Sequence, residues 1–71
     1  MFTQYSTVLK KIRISDIRVG SRVIVRDNFG MGRPREVVVE NVEDDIKNGR
    51  PGIDYDDSWA YLTQVDRVVK Y

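Results

Sequence analysis

The stretch RVIVRDNFGMGRPREVVVENV, residues 22–42, predicts two neighbouring β-strands joined by a loop. Valine and isoleucine dominate both of its ends, and β-branched residues favour the pleated surface of a strand. The middle, DNFGMGRP, contains two glycines and a proline, which are typical of a loop. We therefore expect an antiparallel hairpin with strands over residues 22–27 and 35–42.

The charges at the ends of the two strands predict their register. If Arg26 lies opposite Glu36, then Arg22 lies opposite Glu40, and each arginine meets an acid across the hairpin. Such directly opposed charge pairs contribute roughly 0.2–1 kcal/mol each, and a slip of one residue would mix the apolar and charged faces. The same register gives one wholly apolar face made of Val23, Val25, Val37 and Val39.

Strand and turn signals continue on both sides of this hairpin, and no segment carries a helical stripe over three turns. Turn residues recur at a spacing of roughly ten, which is typical of a small sandwich or barrel. Residues 15–20 are expected to form a short connection. The other expected elements are a strand over Tyr5–Ile14, a polar turn over 43–52, a hairpin of strands 53–56 and 59–62 turning at Asp57 and Ser58, a 3₁₀ turn over 63–65 and a last strand over 66–71.

Two segments carry a resemblance to a known fold family. IRVGSRVIVRDNFGMGRPREVVVENV, residues 17–42, resembles the opening of SH3-like barrels, including the KOW type of ribosomal and transcription proteins. WAYLTQVDRVVKY, residues 59–71, resembles the closing strand, 3₁₀ turn and final strand of such barrels. The loop FGMGRPRE differs from the KOW pattern, which places glycine directly before the second strand. The resemblance implies an all-β, SH3-like barrel of about five strands with a strand added at the N-terminus.

The composition limits the chemistry that this chain can support. Its 71 residues form one small domain, which buries a modest core, and its 41% hydrophobic content is that of a globular protein. With no cysteine and no histidine, we expect no disulfide, no metal site and no cofactor. No apolar run approaches the ~18 residues that a membrane span needs, and MFTQYSTVLKK lacks the order of an export signal. We therefore expect a cytoplasmic protein that has no membrane partner.

Catalysis finds no support in the residue types and their spacing. A Ser-His-Asp mechanism needs a histidine base, which this chain lacks. FGMGRPR has neither the spacing nor the Lys-Ser/Thr ending of a phosphate-binding P-loop. Asp54, Asp56 and Asp57 are close in sequence, but acids that flank a turn are usually solvated and these do not follow a calcium-loop pattern. We expect a protein that is not an enzyme.

The net charge of +1 hides an uneven distribution. Residues 1–35 carry eight lysines and arginines against two acids, whereas residues 36–71 carry four against nine. This asymmetry indicates either a basic face for an anionic partner or two halves that pair with each other.

The first binding hypothesis concerns a protein or peptide partner, including a second copy of this chain. SH3 domains hold basic, proline-rich peptides in an aromatic groove beside acidic loops. If Ala60 and Leu62 point inward, Trp59 and Tyr61 are exposed on the other face; if Trp59 points inward, it is part of the core. The residues proposed for this site are Tyr55, Trp59, Tyr61, Asp56 and Asp57.

The second binding hypothesis is single-stranded nucleic acid, RNA or DNA, held by the glycine-containing loop. Basic side chains that contact the backbone, with an aromatic ring that stacks on a base, are what such binding requires. The residues proposed for this alternative are Phe29, Arg33 and Arg35 on the loop, with Lys10, Lys11 and Arg13 upstream.

Overall fold

The computed structural model describes residues 12–71, and within that range the chain forms strands and 3₁₀ turns only. The strands are β1 (Arg22–Arg26), β2 (Pro34–Val38), β3 (Asn41–Lys47), β4 (Arg50–Tyr55), β5 (Ser58–Tyr61) and β6 (Val65–Lys70). The 3₁₀ turns span Ile14–Asp16, Asn28–Gly30 and Leu62–Gln64. None of the helical turns in this part of the chain is long and apolar enough to cross a membrane.

The strands form two three-stranded antiparallel sheets, ordered β2-β1-β6 and β3-β4-β5. The chain passes from the first sheet to the second at Val39 and Glu40, and β6 returns to pair with β1. The predicted all-β class is confirmed. The 3₁₀ turn before the last strand is also confirmed, although it begins one residue earlier than predicted. It gives the order of strand, turn and strand that the resemblance implied.

One hydrophobic core lies between the two sheets. The four valines predicted to share an apolar face are all buried, and the second sheet covers them with Ile53, Tyr55 and Ala60. Removing a Val- or Ile-sized side chain from water contributes about 1.5–3 kcal/mol, so these residues supply most of the drive for folding. The full set of buried apolar residues is Ile17, Val23, Val25, Val37, Val39, Ile53, Tyr55, Ala60, Leu62 and Val65.

The predicted register of the first hairpin is wrong by two residues. Val23 lies opposite Val37, and Arg26 lies opposite Pro34 rather than Glu36. A shift of two preserves the faces, because side chains alternate with a period of two. The arginines find other acids: Arg22 donates to Glu36 across a diagonal at 3.2 Å, and Arg26 donates to Asp66 on β6 at 3.1 Å.

The first strand pair extends to Pro34 because β2 is an edge strand of its sheet. An edge strand tolerates a proline, which has no N–H group for the ladder. Sequence reasoning treated Pro34 as part of the loop, and the pairing of opposite charges then selected the wrong register.

The predicted turn over residues 43–52 is also wrong. β3 continues to Lys47 and β4 begins at Arg50, so only Asn48 and Gly49 form the turn. Both residues have positive φ, 58° and 72°, which is the geometry of a tight two-residue hairpin. The segment is polar because most of its side chains lie in solvent on an edge strand, not because it lacks regular structure.

The predicted strand over Tyr5–Ile14 lies outside the described residues except for its last three positions. Of these, Ile14 begins the first 3₁₀ turn. Ile12 and Ile14 are partly buried against the core.

Gly52 is the position where the second sheet leaves no room for a side chain. A Cβ atom there would overlap the main-chain oxygen of Ala60 and lie 2.5 Å from Cγ2 of Ile46. Gly52→Ala should therefore destabilise the fold by about 1–3 kcal/mol, the usual cost of overpacking, measured by urea denaturation. Thr63→Ala, at an exposed position of the last 3₁₀ turn, is the control and should stay within about 0.5 kcal/mol of the parent. Equal stability of the two variants would contradict the close approach at Gly52.

Candidate functional site

The orientation of β5 settles which way Trp59 points. Ala60 and Leu62 are buried, so Trp59 and Tyr61 point away from the core onto the outer face of the second sheet. Both side chains are half-buried rather than fully exposed. Trp59 is therefore a surface residue that is partly covered by its neighbours.

Phe29 is one of those neighbours, and with Trp59 and Tyr61 it forms what we call the aromatic cluster. Its ring centroid lies 6.0 Å from that of Trp59 and 6.4 Å from that of Tyr61. Trp59 and Tyr61 contact each other edge-to-face with centroids 5.1 Å apart. The two pairs that include Trp59 are edge-to-face, which is a preferred geometry of aromatic pairs, whereas Phe29 and Tyr61 are tilted at 43°. Sequence reasoning placed Phe29 in one hypothesis and the other two rings in the alternative, and the structure brings all three together.

Two cations border the aromatic cluster, and sequence reasoning missed both. The Nζ atom of Lys47 lies 5.5 Å from the Trp59 ring centroid, and the Cζ atom of Arg50 lies 4.6 Å from that of Tyr61. Lys47 and Arg50 are directly opposite each other where β3 turns into β4. The signal was available, since Asn-Gly is a strong hairpin marker and places its two flanking residues side by side.

A cleft of about 200 Å³ opens between Phe29 and Trp59. Polar side chains of Asn28, Ser58 and Gln64 complete its lining. Gln64 is held in place because its amide nitrogen donates to the main-chain oxygen of Arg26 at 2.8 Å and its amide oxygen accepts from the N–H of Tyr61 at 2.9 Å. The cleft thus combines two aromatic walls with hydrogen-bonding groups.

Asp27 anchors the loop that carries Phe29. Its carboxylate accepts a hydrogen bond from the hydroxyl of Tyr55 and another from Nε of Arg35 at 2.8 Å. Its main-chain oxygen accepts from the N–H groups of Gly30 and Gly32 at 3.1 and 2.9 Å. The carboxylate of Asp27 therefore links the loop to both sheets, and its main-chain oxygen closes the loop on itself.

The anchored loop holds Phe29 in an unfavourable backbone conformation. Its φ of 55° is in the left-handed region, as is the 54° of Asn28. Such a conformation costs on the order of 1–3 kcal/mol for a residue with a bulky side chain, and it persists only where the surroundings over-determine it. Phe29 is nevertheless 69% exposed, so burial of its own ring does not offset this strain.

The remaining residues of the first hypothesis occupy different environments. Tyr55 is only 1% exposed and belongs to the core, so we leave it out of the surface. Asp56 and Asp57 form the exposed turn between β4 and β5, both at positive φ. The carboxylate of Asp56 accepts from Nη1 of Arg35 at 3.3 Å.

The residues of the nucleic-acid hypothesis are dispersed. Arg33 is exposed on the loop, whereas Arg35 is engaged by Asp27 and Asp56. Arg13 precedes the first 3₁₀ turn, where its N–H donates to the Asp16 carboxylate at 2.9 Å. Lys10 and Lys11 lie outside the described residues.

The acids considered for catalysis or metal binding are not assembled into one site. Hydrogen bonding to Asp54 raises the pKa of Glu43, which places Asp54 with that residue, while Asp56 contacts Arg35. In the range 12–71, no group of three acids has the geometry to hold a metal ion.

No family model, curated protein or solved structure matches this chain. The interpretation of the site therefore depends on its geometry and chemistry alone.

The link between Tyr55 and Asp27 predicts two limits of stability with pH. Burial, together with the bond to Asp27, raises the pKa of Tyr55 from 10.0 to about 12, so the unfolded chain loses this proton first and stability should fall as the pH rises from 10 to 12. The bonds from Tyr55 and Arg35 lower the pKa of Asp27 below 3.8, so its contribution should be lost as the pH falls through that lower value. Urea denaturation over a pH series measures the loss of stability at both the alkaline and the acid end.

Tyr55→Phe removes the hydroxyl and should reduce the loss of stability between pH 10 and 12 relative to the parent. Tyr61→Phe is the matched control, because the Tyr61 hydroxyl bonds only with Asn48 among the described residues, and it should retain the alkaline loss. An equal loss of stability at alkaline pH in the parent and in Tyr55→Phe would contradict the role given to this hydrogen bond.

Proposed function

We propose that this protein is a non-catalytic, cytoplasmic binding module that holds an extended segment of a partner protein in the cleft between Phe29 and Trp59. The observation that carries the proposal is the aromatic cluster itself, a contiguous apolar surface built around an exposed and conformationally strained phenylalanine.

The first argument concerns the energetic cost of Phe29. A ring that is largely exposed and held at positive φ does not contribute to stability in proportion to its size. Large aromatic side chains at the centre of a patch are the residues that most often dominate protein–protein binding. A partner that covers Phe29 and the open side of Trp59 would bury apolar area that folding leaves in water.

The second argument concerns the shape and polarity of the cleft. Its volume of about 200 Å³ suits one or two side chains rather than a large cofactor. Asn28, Ser58 and Gln64 line it with amide and hydroxyl groups, which can hydrogen-bond the peptide groups of an extended segment. Aromatic grooves of this kind recognise polyproline II segments, whose backbone has no internal hydrogen bonds.

The acids beside the cleft support a basic residue in the partner segment. Ser58 and Trp59 directly follow the Asp56-Asp57 turn, so the two acids are adjacent in sequence to residues that line the cleft. Arg35 already neutralises Asp56 in part. We expect Asp57 to make the stronger contact with a lysine or arginine of the ligand.

Self-association is the alternative use of the same surface. The partner would then be the aromatic cluster or an edge strand of a second copy. Sedimentation velocity over a concentration series separates the two, because a module for another protein's segment stays monomeric at concentrations where it binds that segment.

Phe29→Ala tests the proposal with a peptide selected from a random library displayed on phage. Truncating a central aromatic residue of an interface costs about 2 kcal/mol or more, so the dissociation constant should rise about 30-fold. The emission of Trp59, the single tryptophan, should change when the peptide binds. Isothermal titration calorimetry measures the affinities.

Met31→Ala is the matched control. Met31 lies on the same loop and is 84% exposed, but it is not part of the aromatic cluster or of the cleft lining. It should bind within about twofold of the parent. A library that yields no peptide, or equal losses for both variants, would contradict the proposed site.

A further inference from the structure

A second groove lies at the other end of β1, away from the aromatic cluster. It has a volume of about 460 Å³ and three of its lining residues are cations. Its lining residues are Arg18, Val19, Gly20, Arg22, Lys70 and Tyr71.

Two of these cations face each other across the sheet. Arg22 on β1 lies directly opposite Lys70 on β6, and like charges in that arrangement destabilise a strand pair. Glu36 neutralises Arg22 at 3.2 Å, but the ion pairs formed among residues 12–71 include neither Arg18 nor Lys70. The groove thus holds three cations, of which Glu36 offsets one.

Arg18 is held in a fixed position at this groove. Its Nε donates to the main-chain oxygen of Tyr71 at 3.1 Å, and its guanidinium carbon lies 4.4 Å from the Tyr71 ring centroid. The buried Ser21 supports both residues, since its hydroxyl accepts from the N–H of Arg18 and donates to the same Tyr71 oxygen. Among residues 12–71, the other guanidinium N–H groups of Arg18 form no hydrogen bond and can donate to an anion.

Cationic side chains continue beyond the groove along the outer face of the first sheet. Arg67 lies opposite Ile24, which points away from the buried Val23 and Val25 and so shares a face with Arg22. Arg26 follows on the same face, paired with Asp66. A line of cations across a sheet fits an extended polyanion better than a single small ion, which would contact the groove residues only.

We propose that this groove and the adjoining face bind the phosphate backbone of single-stranded nucleic acid, with Arg18, Arg22 and Lys70 as the central contacts. The Tyr71 ring, 56% exposed, adds an aromatic surface beside the cations, the combination that single-strand binding uses. This site is separate from the Phe29 cleft and from the loop arginines named in the sequence-based hypothesis, and it does not depend on the proposed peptide binding.

The test is fluorescence anisotropy with a fluorescein-labelled oligothymidylate, titrated with protein over a series of sodium chloride concentrations. The double variant Arg18→Gln, Lys70→Gln should bind at least about tenfold more weakly. Its slope of log affinity against log salt should be shallower by about 1.4, because each phosphate contact on a single strand contributes about 0.7.

Lys47→Gln with Arg50→Gln is the matched control, since it removes the same charge from the border of the aromatic cluster. It should keep the parent's slope and bind within about twofold of the parent. Equal weakening of the two double variants would show that the groove is not the specific site and overturn the proposal, as would the absence of oligonucleotide binding by the parent at low salt.

Two further measurements distinguish nucleic-acid binding from a folding defect and from a site for free phosphate. Lys70→Gln alone should unfold at a temperature no lower than the parent, because it removes one of the two opposed like charges, whereas Arg18→Gln also removes the contacts of Arg18 with Tyr71. If the double variant does not fold, Lys70→Gln alone should still lower the slope by about 0.7, and an unchanged slope would overturn the proposal. Inorganic phosphate should displace the oligonucleotide no better than sodium chloride at equal ionic strength. Stronger displacement would assign the groove to free phosphate instead.

Discussion

The hydrogen bond from the buried hydroxyl of Tyr55 to the carboxylate of Asp27 joins the two sheets. Tyr55 ends β4 in the second sheet, and Asp27 follows β1 in the first. A buried hydroxyl left without a partner would cost about 1–3 kcal/mol, so the loop must keep its carboxylate at this position. Arg35 contacts the other oxygen of the same carboxylate, and the orientation of Phe29 depends on this arrangement.

The uneven charge of the two halves has two structural consequences. Some N-terminal arginines pair with C-terminal acids, as Arg35 does with Asp56 and Arg26 with Asp66. At the other end of β1, Arg22 pairs with Glu36 but also lies opposite a C-terminal cation, Lys70, and Arg18 lines the same groove. Charge pairing between the halves therefore supports the fold at both ends of β1, while Arg18 and Lys70 add positive charge to the groove. This added charge is why we assign different ligands to the two ends of the molecule.

The errors in predicting the strands both concern residues exposed to solvent. The faces of the first hairpin were predicted correctly from the valines, but pairing of opposite charges chose a register that the structure shifts by two residues. Exposed ion pairs contribute little and accept diagonal geometry, so they discriminate poorly between registers of the same parity. Residues 43–47 were treated as a turn because they are polar, although an edge strand in solvent needs no apolar residues. For the candidate site, Trp59, Tyr61 and Phe29 were each identified, but not as one surface.

The sequence by itself determined the all-β class, the buried valines and the 3₁₀ turn before the last strand, because these follow from side-chain alternation and turn chemistry within a few residues. Only the tertiary structure decided that Trp59 points outward, that Phe29 packs against it, and that Lys47 and Arg50 border the same rings. It also decided that Lys70 lies opposite Arg22. Each of these contacts joins separate strands or loops, and their meeting depends on strand register and on the Asp27 anchor, which no local pattern specifies.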